Sequence, residues 1–132
     1  MGTLVEITIF EKDENKAELD IQNVFNEIQR LEGLMSTHIP GSEVSAINQA
    51  AGVQSVPVSP EVFEVIERAL YWARKTDEAL DISVGPVQEL WKFDIDHPSP
   101  LDKTAFEQKL SKVSYDTIHL ENETVFLADQ GM

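Results

Sequence analysis

Between Lys16 and Met35 the apolar residues Ala17, Ile21, Val24, Phe25, Ile28, Leu31 and Met35 fall largely at spacings of three and four. That repeat places them on one face of a helix, with Glu, Asn, Gln and Arg on the other. A long amphipathic helix is therefore predicted over residues 16–35. Ahead of it, residues 4–10 are rich in β-branched and aromatic side chains with partial alternation, the pattern of a strand. The Asp13-Glu14-Asn15 triplet breaks that pattern.

After the long helix, Pro40-Gly41 marks a turn, and Ser42 is placed to cap a short helix running to Asn48. Gly52 opens a brief strand over residues 55–58. Ser59-Pro60-Glu61 combines a hydroxyl cap, a proline at the first helical position and an acid at the positive end of the helix dipole. The helix it starts is predicted to reach Lys75 with Val62, Phe63, Ile66, Ala69, Leu70 and Ala73 inward. Residues 80–84 read as a short strand stopped by Gly85-Pro86. Val87, Leu90 and Trp91 follow with about one and a half helical turns. Residues 94–100 form an Asp- and Pro-rich loop, residues 103–110 a helix, and residues 117–120 and 124–127 a hairpin across Glu121-Asn122-Glu123. Helices and strands mix without a regular βαβ rhythm. The expected fold class is α+β, a mainly antiparallel sheet packed with helices.

Two stretches carry more polar or special residues than packing requires. Gly41-Ser42-Glu43-Val44-Ser45-Ala46-Ile47-Asn48 is dense in hydroxyl and amide groups, suited either to helix capping or to a polar ligand. Ala79-Leu80-Asp81-Ile82-Ser83-Val84-Gly85-Pro86 sets Asp81 inside an apolar run, where a carboxylate must be at an edge, paired or functional. Trp91 beyond it offers a flat face for stacking, or simply a core residue. His38, His97 and His119 share no metal-ligand spacing. No phosphate-binding loop, dinucleotide fingerprint or nucleophile elbow occurs.

Composition narrows the classes further. The 132 residues contain no cysteine, which removes disulfides, thiolate metal sites and a cysteine nucleophile. Ten Lys plus Arg against 24 Asp plus Glu leave a net charge of -14, which disfavours binding to a phosphate backbone. The acidic residues read as solvated helix faces, with a divalent-cation site as the alternative. No apolar run approaches the roughly 20 residues of a membrane span, and the first ten residues lack a basic n-region. The chain as given is expected to be soluble.

In combination and in order, these segments resemble the FAD:protein FMN transferase (ApbE) family. Met1-Gly2-Thr3 is similar to the family's opening MGT. Leu34-Met35-Ser36-Thr37-His38 with the Gly41–Asn48 stretch resembles its S-x-Y-x-x-x-S-E-[IV]-S-x-[IL]-N segment. Thr76-Asp77-Glu78-Ala79-Leu80-Asp81-Ile82-Ser83-Val84-Gly85-Pro86 and Leu90-Trp91-Lys92-Phe93 are similar to T-D-G-A-F-D-[IP]-[TS]-V-G-P and L-W-G-F. The resemblance spans residues 1–132, which correspond to the N-terminal part of a family domain.

The resemblance implies FAD as substrate, Mg²⁺ as metal, and transfer of FMN onto a threonine hydroxyl of a target protein with release of AMP. It implies a respiratory membrane subunit as target, and a lipid-anchored place on the extracytoplasmic face of the cell envelope for the full-length protein. Met1, His38, Ala79, Leu80 and Asp81 match positions that line the flavin site. Ser42, Glu43, Ser45 and Asn48 match a supporting shell. The family's metal ligands and further FAD contacts correspond to positions after Met132, so this chain alone is expected to bind flavin poorly and not to catalyse. Its uncovered apolar surface is expected to lead either to association with a second copy or to low stability. A stand-alone, non-catalytic flavin-binding or interaction module is the alternative. Three positions depart from the pattern: His38 stands for a tyrosine, Glu78 for a glycine after a helix end, and Lys92 for a glycine after the tryptophan.

Overall fold

The computed structural model describes residues 4–90 and 102–132, which divide into two units, one ending at Ser45 and one running from Ala46 to Met132. In the first unit, helix α1 covers Glu14–Met35. The Asp13 carboxylate caps it, accepting from the N–H groups of Asn15 and Lys16 at 3.0 and 3.2 Å. Asp13 therefore starts the helix as well as ending the segment before it, because its side chain supplies acceptors for two N–H groups that have no partner within the helix. The predicted apolar face exists, but no residue of α1 is buried. Phe25 is 39% and Val24 42% exposed on that face.

The predicted strand over residues 4–10 is not formed either. The segment has no strand assignment, and Leu4 and Phe10 are exposed. Alternating β-branched residues make a chain able to join a sheet, but a ladder needs a partner strand, and among the described residues none pairs with this one.

Helix α2, Glu43–Gln49, carries the division between the units within it. In the second unit, strand β1 is Val56–Pro57 and helix α3 is Pro60–Lys75. Ser59 caps α3 by accepting from the Val62 N–H, and Arg74 and Lys75 occupy the last turn, where cations are favoured. Helix α4, Gly85–Gln88, starts two residues before the turns predicted from Val87, whose Trp91 end lies outside the described residues. Helix α5, Lys103–Leu110, matches the predicted bounds and is capped by Asp102. A 3₁₀ turn at Tyr115–Thr117 leads into strand β2, Ile118–Glu121, which pairs with β3, Thr124–Leu127.

The sheet order is β1-β3-β2, with both pairings antiparallel, so the chain is α+β with an antiparallel sheet. Only Asn122 and Glu123 form the hairpin turn, both at positive φ, 47° and 58°. That is the left-handed pair whose twist suits a two-residue hairpin. Ile118 faces Leu127 and Leu120 faces Val125 across the ladder, placing these four on one face. Val125, Leu127 and Ile118 are buried, as are Val62, Leu70 and Ala73 of α3 together with Ile47 and Ala51. These residues are the core of the second unit. Gly52 joins its preceding loop to the sheet: its N–H donates to the Leu127 carbonyl at 2.8 Å. A Cβ there would lie 2.7 Å from the Gln130 nitrogen, and its φ of +72° also requires glycine.

Candidate functional site

In the first unit, His38 lies on the turn that follows α1. The Ser42 hydroxyl donates to the Ser36 carbonyl at 2.6 Å and accepts the Ser45 N–H at 3.0 Å. The Ser45 hydroxyl donates to the Ile39 carbonyl at 2.8 Å. Both serines are nearly inaccessible, at 2% and 7% exposure, and hold carbonyls of a turn that has no regular ladder to satisfy them. Their role as a support for this turn is local and structural, with Ser42 also capping α2. His38 itself is exposed, anchored by its N–H to the Ser36 hydroxyl at 3.2 Å. It borders an open groove of about 520 Å³ whose wall is Ile28, Leu31 and Met35 of α1 with Glu32, Ser36 and Thr37. Part of the apolar face of α1 thus lines this groove.

In the second unit, residues 76–84 are a chain of turns, and the strand predicted over residues 80–84 is absent. Local hydrogen bonds displace it. The Glu78 N–H donates back to the Ala73 carbonyl at 3.1 Å, closing α3 in a Schellman-type end with Asp77 and Glu78 at φ 52° and 66°. Glu78 thus occupies the left-handed conformation that glycine would adopt without cost. The Thr76 hydroxyl donates to the Trp72 carbonyl at 2.8 Å and accepts the Leu80 N–H at 3.2 Å.

Asp81 then folds the chain back. Its Oδ1 accepts from the Ser83 N–H at 2.8 Å and from the Ser83 hydroxyl at 2.6 Å. Its Oδ2 accepts from the Tyr115 N–H at 3.1 Å. An Asx turn of this kind gives the backbone an alternative to a ladder, which is why the apolar run does not extend. The carboxylate is half-buried and paired, Ser83 is 6% exposed, and Leu80, Ile82 and Val84 project at 44%, 41% and 42%. Nearby, burial pushes the Tyr115 phenol above its ordinary value, with the Asp116 and Glu78 carboxylates adding to the rise, so it remains a neutral hydroxyl.

Of the residues the sequence singles out, His38 belongs to the first unit and Ala79, Leu80 and Asp81 to the second. Met1, Trp91, Lys92 and His97 lie outside the described residues. Glu43 and Asn48 sit on α2. Sequence reasoning does not single out Ser83, Tyr115 or the groove wall. Ser83 is signalled by its place two residues after an Asp, an Asx-turn spacing, whereas nothing in sequence links Tyr115 to Asp81. Among the described residues no group of three or more His, Cys, Asp or Glu is placed to hold a metal ion.

A family model described as the ApbE family matches residues 1–132. The chain belongs to the ApbE family. Over its whole length it is 27% identical to the FAD:protein FMN transferase of Treponema pallidum and 31% identical to one from Klebsiella pneumoniae. It spans 39% and 41% of those two proteins. Among solved structures, the apo form of the Pseudomonas stutzeri flavinyl transferase ApbE superposes with a TM-score of 0.76 at 16% identity, over 86% of this chain and 36% of that one. The ApbE protein of Thermotoga maritima gives 0.75 at 24% identity, over 83% and 37%. These likenesses establish an ApbE fold. In this ApbE chain the Thr76–Asp81 motif is a helix end joined to an Asx turn, and the Ser42–Asn48 motif is a cap joined to a turn support.

Proposed function

We propose that this chain supplies part of the flavin site of an FAD:protein FMN transferase. The ApbE match over residues 1–132 is the observation that carries this reading. In the proposed reaction a threonine hydroxyl oxygen of a target protein attacks the FMN phosphorus of FAD. The new P–O bond forms as the bond to AMP breaks, and the hydroxyl proton is lost. A pyrophosphate under attack calls for charge neutralisation, and Mg²⁺ would supply it. Met1, His38, Ala79, Leu80 and Asp81 are the residues proposed to line the FAD pocket.

The geometry is consistent with contacts at three of these residues. His38 presents an exposed ring beside an apolar groove, suited to a flat aromatic group. Ala79 and Leu80 stand exposed on a turn held by internal hydrogen bonds, so little ordering is needed when a ligand arrives. The respiratory membrane target and a lipid-anchored, extracytoplasmic location are proposed on the resemblance of the motifs.

A titration of the chain with FAD, with and without Mg²⁺ and followed by flavin fluorescence, tests the reading. Saturable quenching that weakens in His38→Ala and Leu80→Ala is expected, without transfer of FMN by the chain on its own. An unchanged fluorescence at FAD concentrations well above the protein's would remove the flavin assignment from these residues.

A further inference from the structure

The Asp81 carboxylate is directed into the protein's own backbone. Oδ1 takes two donors from the buried Ser83, and Oδ2 takes the N–H of Tyr115, which lies 34 positions further along the chain. Tyr115 opens the 3₁₀ turn into β2, so the carboxylate ties the loop of residues 79–84 to the lead-in of the sheet. Upstream, the same loop is fixed by the Thr76 hydroxyl and by two consecutive residues in the left-handed region. Left-handed residues other than glycine persist where the surroundings over-determine them. Between the two anchors, Ala79 and Leu80 are left exposed.

We propose that Asp81 is a positioning residue for the flavin substrate, not a direct contact through its carboxylate. Three internal donors hold the anion away from a ligand that itself carries a pyrophosphate, and fix the backbone that presents Ala79 and Leu80. The inference rests on the flavin reading above and sharpens the role of one residue within it. Ser83 and the Tyr115 N–H become parts of the same device, although neither faces the ligand.

The two roles separate cleanly in Ser83→Ala. That change leaves the Asp81 carboxylate in place and frees part of Oδ1. A direct contact would be unaffected or improved, whereas a positioning carboxylate loses its shortest restraint. The test is an FAD titration of the 132-residue chain, at a temperature where each variant is folded by circular dichroism, with amide exchange at Tyr115 measured in parallel.

Asp81→Asn supplies one oxygen where two are needed, so whichever way the amide turns, one set of donors meets an NH₂ group. It is expected to raise the FAD Kd by about tenfold and to speed Tyr115 amide exchange by a similar factor, the loss of one half-buried charge-assisted hydrogen bond. Ser83→Ala is expected to raise Kd by about threefold, the loss of one neutral hydroxyl donor, with Ser83→Thr restoring the affinity. Faster Tyr115 exchange with an unchanged Kd in Asp81→Asn would overturn the inference while the flavin reading stands. A raised Kd in Asp81→Asn with none in Ser83→Ala would overturn it in favour of direct contact. If the unmodified chain fails to bind FAD, the flavin reading and this inference fall together, and Tyr115 exchange still reports whether the latch forms.

Discussion

Helices α1 and α3 begin alike and end differently. Each has a polar side chain capping its first turn, Asp13 for α1 and Ser59 for α3, and each has an apolar face at helical spacing. Helix α3 buries Val62, Leu70 and Ala73, while α1 buries nothing along its 22 residues. Amphipathic spacing therefore states which face a helix would bury, and says nothing of whether a cover is present. For α1 the consequence is that local interactions carry the helix: the cap, helix propensity and surface ion pairs. For α3 most of the stabilisation comes from apolar area removed from water.

The largest test of this contrast is truncation of matched leucines. Leu70→Ala in α3 removes a side chain that is 3% exposed and should cost about 2–4 kcal/mol in urea unfolding, through lost transfer energy and a residual cavity. Leu31→Ala on the groove wall of α1 removes a half-buried side chain and should cost about 1 kcal/mol or less. Equal losses would show that the α1 face is covered in solution, and the contrast would fail.

Exchanging the caps probes the same contrast from the other side. Asp13→Ala leaves the N–H groups of Asn15 and Lys16 without their side-chain acceptor and should cost about 1 kcal/mol. Ser59→Ala should cost a similar amount, because the bond lost is of the same kind. The distribution of damage should differ. In α1 amide exchange should rise along the first turns, since no buried side chain holds them. In α3 it should rise only at the cap, because Val62 is 1% exposed and anchors the first turn. Identical exchange profiles would show that burial does not set the cooperativity of either helix.

The same distinction explains which parts of the structure are legible in sequence. Helices α1, α3 and α5 and the hairpin each carry their own signals within a few residues: a cap, a proline, a period, an Asn in the turn. The ApbE motifs likewise mark the loop after α1 and the loop after α3. The elements that sequence misplaces depend on something distant or absent. The strand expected over residues 4–10 lacks a partner among the described residues, and the strand expected over residues 80–84 gives way to an Asx turn completed by Tyr115, 34 residues on. The groove beside His38 is invisible in sequence for a related reason: periodicity shows which residues share a face of α1, and not what lies against that face.

The smallest expected effect is electrostatic and belongs to the first unit. Glu11 is held below its ordinary 4.5, first by the hydrogen bond from the Lys16 ammonium and then by the Lys12 and Asp13 N–H groups. Glu27 is held below the same value by its bidentate bond from Arg30. A carboxylate with a depressed folded-state pKa stabilises the fold at pH above its unfolded value. That contribution is lost as pH falls below 4.5 and through the folded value. Both glutamates are solvent-exposed, so the effect is weak and screened by salt. Acidification also relieves the repulsion within a chain of net charge -14, which acts in the opposite direction. The informative quantity is therefore a difference. A Lys16→Gln, Arg30→Gln double variant should lose less α1 protection than the parent chain between neutral and acid pH at low ionic strength. The gap should shrink at high salt. A gap that persisted in high salt would assign the acid response to buried groups, and α1 would then resemble α3 more closely than its exposure indicates.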